Sequence, residues 1–134
     1  MNLLIDIDVP DLAQGVDFYQ AAFGLRLARV LDHDVAELVG GSSVIYLLQK
    51  DVDSSCARST RERRRYSRHW TPVHLDFVVE NISEATQQVI DAGAIRESEC
   101  VEWRGSKCIT FSDPFGNGFC LIEFDEKTYR SNAT

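Results

Sequence analysis

The sequence predicts an α+β fold made of two tandem βαβββ modules, residues 1–50 and 72–124. Three observations support this prediction. The chain opens with a strictly alternating segment followed by a helical pattern, three further strand-like segments come next, and the same order starts again after an arginine-rich connection at residues 51–71. An internal repeat of this kind implies that both halves share one structural plan.

The first predicted element is a strand at Leu3–Val9. Alternation places Ile5 and Ile7 on one face and Asp6 and Asp8 on the other. The strand therefore has one apolar and one polar face.

A helix is predicted at residues 11–23. Pro10 ends the strand, and Asp11 with Gln14 three residues later forms a capping-box pattern. Apolar residues recur at helical spacing at Leu12, Val16, Tyr19 and Phe23. Gly24 suits the C-terminal turn of this helix.

Three strands complete the first module, at Leu25–Val30, Asp34–Val39 and Ser43–Gln49. The dipeptide at 32–33 and the Gly-Gly-Ser at 40–42 supply the turns between them.

The connection at 51–71 differs in charge from the rest of the chain. It carries an excess of three positive charges, with arginines at Arg58, Arg61, Arg63, Arg64, Arg65 and Arg68. Charge runs usually face water, so a solvated linker is expected. A surface for a macromolecular partner is the alternative.

The second module repeats the plan. An alternating strand is predicted at Val73–Val79, then a helix that starts at Asn81 and ends at Gly93. Superposing Val79 on Val9 pairs Asp76 with Asp6. The remaining predicted strands are Ala94–Val101, Lys107–Ser112 and Phe119–Phe124.

The last two strands flank Asp-Pro-Phe-Gly-Asn at 113–117, which predicts a tight hairpin. This segment resembles the C-terminal hairpin of the vicinal oxygen chelate superfamily, which includes glyoxalase I, extradiol dioxygenases, and fosfomycin and bleomycin resistance proteins. Val-Asp-Phe-Tyr at 16–19 before Phe-Gly-Leu at 23–25 is similar to the first helix of that superfamily. Trp-Arg-Gly at 103–105 resembles the turn before its seventh strand.

The resemblance implies a curled mixed sheet with its helices on the convex face and a ligand site on the concave face. It covers residues 1–124 as a single domain and leaves 125–134 as a polar tail. Members usually complete their cavities by pairing modules within one chain or between two, so a homodimer is expected.

The metal-ligand positions of the superfamily fall on Leu4, Tyr46, His74 and Cys120. Only His74 is of the expected type, so the sequence diverges at these positions and no metal cofactor is expected. If a divalent metal does bind, His74 with Asp6 or Asp76 would hold it.

The residues expected to line the ligand site are Asp6, Asp8, Tyr46, His74, Asp76, Trp103, Arg104 and Cys120. His74 and Tyr46 are the candidate acid–base catalysts. Inward-facing aspartates imply a wet cavity or a cationic ligand, because a buried carboxylate needs water or a partner. Alternatively they pair at the sheet rims with Arg29, Arg104 or Lys107. Residues just before His74, including Arg68 and Trp70, would serve as a flap over the cavity mouth.

Charge and composition exclude several partner classes. The formal charge is −7 and the isoelectric point is near 4.9, which disfavours nucleic acid and anionic membranes as partners. No signal peptide or transmembrane pattern is predicted, and the cysteines form no Cys-x-x-Cys pair, so free thiols in a cytoplasmic protein are expected.

The sequence thus favours a protein that binds a small cationic or aromatic molecule without metal, as the antibiotic-binding members of the superfamily do. The competing interpretation is an enzyme: a metal-dependent lyase, isomerase or dioxygenase with an atypical His/Asp site, or a metal-free catalyst that uses His74 and Tyr46.

Overall fold

The computed structural model describes residues 1–125, and the chain divides into two compact units, of which the first ends at Ser67 and the second begins at Arg68. The first unit contains β1 (Leu4–Val9), α1 (Leu12–Phe23), β2 (Arg26–Leu31), β3 (Val35–Val39) and β4 (Val44–Gln49). The second contains β5 (Leu75–Val78), α2 (Ile82–Ala92), β6 (Ile95–Arg96), β7 (Val101–Trp103), β8 (Ser106–Ser112) and β9 (Gly118–Glu123). The α+β class and the tandem order are confirmed. Of the predicted tail at 125–134, all but Asp125 lies outside the described residues.

The first unit is a four-stranded sheet in the order β1-β4-β3-β2, with β1 parallel to β4 and the other pairs antiparallel. One face packs on α1 through buried residues that include Val9, Leu38 and Leu47. Gly15 permits this close packing, because a Cβ there would lie only 3.1 Å from Val9 Cγ1 and 3.2 Å from Leu47 Cδ1.

Both helices begin where the capping patterns predict. The side chain of Asp11 accepts a hydrogen bond of 2.9 Å from Gln14 N, and that of Asn81 accepts one of 3.0 Å from Glu84 N. Each bond satisfies an N–H that has no partner within the helix. Gly24 ends α1 in the left-handed conformation, at φ 66°.

The second unit is a five-stranded sheet in which β5, β9, β8 and β6 are neighbours and β7 pairs with β8. The prediction of one strand at Ala94–Val101 is wrong, because the segment forms the two short strands β6 and β7. Between them Glu97 N donates to Thr110 O (2.9 Å) and the Ser98 hydroxyl accepts from Thr110 N (2.9 Å). A side chain thus replaces a backbone acceptor and interrupts the ladder.

The predicted hairpin at 113–117 is confirmed, and a buried carboxylate holds it. Asp113 is 1% exposed, and its Oδ1 accepts hydrogen bonds from Phe115 N (2.8 Å) and Asn117 N (2.9 Å). Its Oδ2 accepts from Asn117 Nδ2 (2.9 Å). Gly116 has φ 88°, which favours glycine. This turn fixes how β8 meets β9.

The arginine-rich connection forms an anchored loop in the first unit and continues into the second unit at Arg68. Ser55 bridges to Arg63, and Arg64 Nε binds Asp8 Oδ2 at 2.8 Å with its side chain only 17% exposed. The Tyr66 hydroxyl donates to Lys50 O at 2.6 Å. The solvated-linker prediction therefore fails at Arg64, which is tied to β1.

Among the described residues, no helix is long and apolar enough to span a membrane. All four cysteines, which lie within the described range, are free thiols, as expected.

Candidate functional site

The sheet of the second unit has one aromatic face and one face with more exposed polar side chains. On the aromatic face Phe119 meets the Phe77 ring edge to face, with centroids 5.7 Å apart, and stacks on the Phe111 ring at 5.4 Å. Side chains alternate along a strand, so Asp76 and Cys120, each next to one of these rings, point to the opposite face. That face carries the candidate site.

A pocket of about 200 Å³ lies on this face. Its lining residues are Arg68, Trp70, Thr71, His74, Thr110, Gly118, Phe119 and Cys120. Sites for drug-sized ligands are roughly 300–1,000 Å³, so this pocket suits a smaller molecule of about one ring. Trp70 is 81% exposed and offers a free aromatic surface at the pocket.

His74, Asp76 and Cys120 form a compact cluster beside the pocket. His74 Nε2 lies 3.1 Å from Asp76 Oδ1, and the donor atoms of all three residues lie within 4.8 Å of one another. The parallel pairing of β5 with β9 creates this cluster, because Asp76 is the register partner of Cys120. The two polar side chains remain about half exposed, while Cys120 is buried.

Cys108, on this face, is not set up as a nucleophile. Burial, helped by the neighbouring Cys120 and by Asp76, raises the pKa of Cys108 to about 12. Cys120 Sγ lies 3.5 Å from the Thr110 hydroxyl. Cys108 therefore stays protonated at neutral pH, which makes it unreactive.

Arg68 provides the positive charge at the pocket. Its Nε binds Glu97 Oε2 at 2.7 Å, and a second guanidinium nitrogen donates to His69 O. The hydrogen bond and charge of Glu97 raise the pKa of Arg68 further above its usual value. The guanidinium lies directly over Gly118, where an added Cβ would come within 2.6 Å of Arg68 Nη2.

The first unit holds a separate polar group around Tyr46. The Tyr46 hydroxyl donates to Glu37 Oε2 at 2.8 Å, and Arg29 binds the same oxygen at 3.2 Å. The Tyr46 bond lowers the pKa of Glu37 and raises that of Tyr46, and Arg29 strengthens the effect on Glu37. Tyr46 is thus a stable hydroxyl donor. Asp6, its register partner on β1, is exposed.

The structure brings together three of the predicted site residues, His74, Asp76 and Cys120. Asp6, Asp8 and Tyr46 belong to the first unit, so the predicted pairing of His74 with Asp6 or Tyr46 stays a prediction. Arg104 lies in the exposed turn between β7 and β8 with φ 49°, and the Trp103 side chain is outside the described part of the structure.

The residues expected to form ion pairs at the sheet rims have other partners in the structure. Asp8 binds Arg64 of the connection, while Arg29 binds Glu37 and Lys107 lies 3.5 Å from Glu123.

Sequence reasoning missed Glu37, Glu97 and Thr110. Alternation along their strands was a usable signal for two of them, because Glu37 pairs with Tyr46 and Thr110 pairs with Cys120 in register. No sequence pattern indicated that Glu97 contributes to the site, because this residue lies at the break between β6 and β7, which was not predicted.

A divalent ion, which the superfamily resemblance implies, would find one nitrogen, one carboxylate oxygen and one sulfur donor at His74, Asp76 and Cys120. This mixed set fits a borderline ion such as Zn²⁺ better than Mg²⁺ or Mn²⁺, which prefer oxygen.

Comparison with solved structures shows the fold. A glyoxalase/bleomycin resistance protein/dioxygenase family enzyme from Burkholderia phytofirmans superposes with a TM-score of 0.71 at 18% identity, over 91% of this chain and 97% of that one. The fosfomycin resistance protein FosX from Listeria monocytogenes gives 0.69 at 18% identity, over 95% of each chain. The hypothetical protein SA1046 from Staphylococcus aureus gives 0.72 at 17%, over 92% and 93%.

Comparison with curated protein sequences finds no match. A sequence model described as the glyoxalase-like domain matches residues 4–122, which is most of the chain. With a family model that matches most of its length, the chain belongs to the glyoxalase-like domain family, and the solved structures above share its fold.

Proposed function

We propose that this protein binds a small aromatic molecule in the pocket on the sheet of the second unit, without a bound metal. The observation that carries the proposal is the pocket itself, in which the exposed Trp70 ring stands beside polar groups of Arg68 and His74. Small-molecule sites typically combine an apolar wall with a few placed polar groups.

Of the two ligand classes expected from the sequence, the pocket favours the aromatic one over the cationic one. Asp8 is already neutralised by Arg64, and Asp76 lies against His74. Of the three aspartates expected to attract a cation, Asp8 and Asp76 therefore have partners and Asp6 belongs to the first unit, whereas Trp70 offers an aromatic face at the pocket.

Ligand binding can be tested by titrating the protein with single-ring aromatics and following tryptophan fluorescence and the melting temperature. A ligand that binds only the folded state raises the melting temperature. Trp70→Ala should abolish the shift, while Val101→Ala, which trims another exposed side chain of the same unit, should leave it intact. A shift that survives Trp70→Ala would place the ligand elsewhere.

A second candidate is a metal-dependent lyase, isomerase or dioxygenase, favoured by the His74, Asp76 and Cys120 cluster. Protein purified without chelator should then contain near-stoichiometric metal, and Zn²⁺ should raise the melting temperature more than Mg²⁺ does. His74→Ala should remove both effects. Metal-free protein with no shift would reject this candidate.

An acid–base catalyst that uses His74 and Tyr46 is the metal-free form of the enzyme interpretation. The raised pKa of Tyr46 suits it to donate a hydrogen bond and not to act as a base. His74→Ala separates the classes, because a catalyst loses turnover while a binding protein loses at most part of its affinity.

We further propose a homodimer formed by a single domain of residues 1–124, with no nucleic-acid or membrane partner. The net charge of −7 supports the second part, and light scattering after size exclusion tests the first. If the connection instead binds a macromolecule, replacing the exposed Arg58, Arg61 and Arg65 by glutamine should abolish that association and leave small-molecule binding intact.

A further inference from the structure

We propose that Arg68 forms an anion subsite in this pocket, so that the ligand is a small aromatic carboxylate whose ring lies at Trp70. The inference rests on the proposed small-molecule function and adds the charge of the ligand to it. Three features of the second unit support it.

The first feature is the chemistry of the lining. The described residues that line the pocket include a guanidinium, Arg68, and an imidazole, His74, and no carboxylate. Each of these two groups has a carboxylate partner outside the lining, Glu97 on Arg68 and Asp76 on His74. An acidic ligand group would therefore meet the guanidinium of Arg68, with the hydrogen-bond donors that Glu97 leaves available, at the wall. The protein as a whole is acidic, but distant surface charges are screened by salt while a group in contact is not.

The second feature is the position of Arg68, whose guanidinium occupies space left by the absent side chain of Gly118. A Cβ at residue 118 would lie 2.6 to 2.9 Å from Nη2, Cζ and Nη1 of Arg68, so the guanidinium would have to move from its place at Gly118. The missing side chain lets the flat guanidinium lie against the start of β9, at the pocket wall. A positioned guanidinium loses less conformational entropy when it binds a ligand.

The third feature is the way Arg68 is held. Glu97 takes the Nε donor, and His69 O takes one donor on Nη1. A guanidinium has five N–H groups, so those on the two Nη nitrogens that have no partner between residues 1 and 125 can bind a ligand oxygen. Glu97 acts as the orienting partner and, at the same time, as a resident carboxylate that competes with an incoming one.

This competition gives a gain-of-binding test. Glu97→Gln keeps a hydrogen-bond acceptor for Nε but removes the negative charge, so a carboxylate ligand should bind several-fold more tightly. Arg68→Gln should weaken carboxylate binding by about tenfold or more, the scale of one charged hydrogen bond. Arg96→Gln is the matched control, because Arg96 belongs to the same unit, does not line the pocket and donates from its Nε to Ser98 O.

The probes are benzoate, its neutral isostere benzamide and the cation benzylamine, titrated into the full chain by calorimetry. Benzoate should bind more tightly than benzamide, Arg68→Gln should erase this difference, and Glu97→Gln should widen it. Melting temperatures of the free variants check folding, and if Arg68→Gln fails to fold, Glu97→Gln alone decides.

The outcomes separate the two proposals. Equal binding of benzoate and benzamide, or the tightest binding by benzylamine, overturns the anion subsite and leaves the aromatic pocket standing. If none of the three probes binds, both proposals fail. A preference for benzoate that Glu97→Gln reduces would also overturn the role assigned to Arg68.

Discussion

The Tyr46 hydroxyl donates a hydrogen bond of 2.8 Å to Oε2 of Glu37, the same oxygen that Arg29 binds. The two strands that carry Tyr46 and Glu37 are antiparallel neighbours, and the residues are register partners. Two donors on one carboxylate oxygen stabilise its charged form, which lowers the pKa of Glu37.

Tyr46→Phe should raise the pKa of Glu37 towards its ordinary value of 4.5. The lowered pKa means that this bond stabilises the native protein above pH 4.5 and that the stabilisation is lost as the pH falls through the lowered value. The difference in free energy of unfolding between wild type and Tyr46→Phe should therefore shrink on acidification. A difference that stays constant with pH would show that packing, and not Glu37, is responsible. NMR titration of Glu37 measures the pKa directly.

Gly118→Ala should displace the guanidinium of Arg68 and weaken benzoate binding as Arg68→Gln does. The backbone tolerates alanine, since Gly118 does not have a positive φ. Gly41→Ala is the control, because a Cβ there meets its nearest atom at an ordinary 3.7 Å. Equal benzoate affinities in the two variants would contradict the close contact.

Asp113→Ala should destabilise the protein strongly. It leaves the N–H groups of Phe115 and Asn117 without their carboxylate acceptor, at roughly 1–3 kcal/mol for each donor that stays unsatisfied. Pro114→Ala, an exposed change in the same turn, should cost much less. Urea unfolding measures both, and similar midpoints would show that the carboxylate does not hold the turn.

Cys108 should react with iodoacetamide far more slowly than the exposed Cys56 at neutral pH. With a pKa of about 12, Cys108 has almost no thiolate there, and its rate should rise steadily as the pH approaches 12. Peptide mapping by mass spectrometry distinguishes the two sites. Comparable rates at neutral pH would mean that Cys108 is ionised.

Asp8→Asn should loosen the arginine-rich connection where it lies on the first unit. Loss of the charged partner of Arg64 frees the loop at residues 53–64, so trypsin should cut at its arginines sooner. Asp6→Asn removes the same charge two residues earlier, at an exposed position on the same strand, and should leave the cleavage rate unchanged. Equal rates in both variants would show that the Arg64 contact does not anchor the loop.

The fold could be predicted largely from local patterns. Alternation identified β1, and the Asp11 and Asn81 caps marked both helix starts, because these signals act within a few residues. The break after β6 escaped prediction because it depends on the Ser98 hydroxyl reaching Thr110, a contact between separate segments.

The candidate site was only partly predictable for the same reason. His74 and Cys120 were predicted from the resemblance to the superfamily, and Asp76 from strand alternation and the internal repeat. The partners that set their surroundings do not: Glu97 holds Arg68 across 29 residues, and Arg64 reaches Asp8 across 56. Such long-range ion pairs leave no periodic trace in a sequence.

The Asp113 turn also bears on the order in which the second unit folds. The β8–β9 hairpin closes through a short loop, whereas β5 reaches β9 only by bringing Leu75 to Phe119. Closing a longer loop costs more chain entropy, so the hairpin should form early and serve as the template on which β5 docks. His74 and Asp76 would then meet Cys120 only in the late, non-local step. The presence of the assembled cluster would therefore show that the second unit has finished folding.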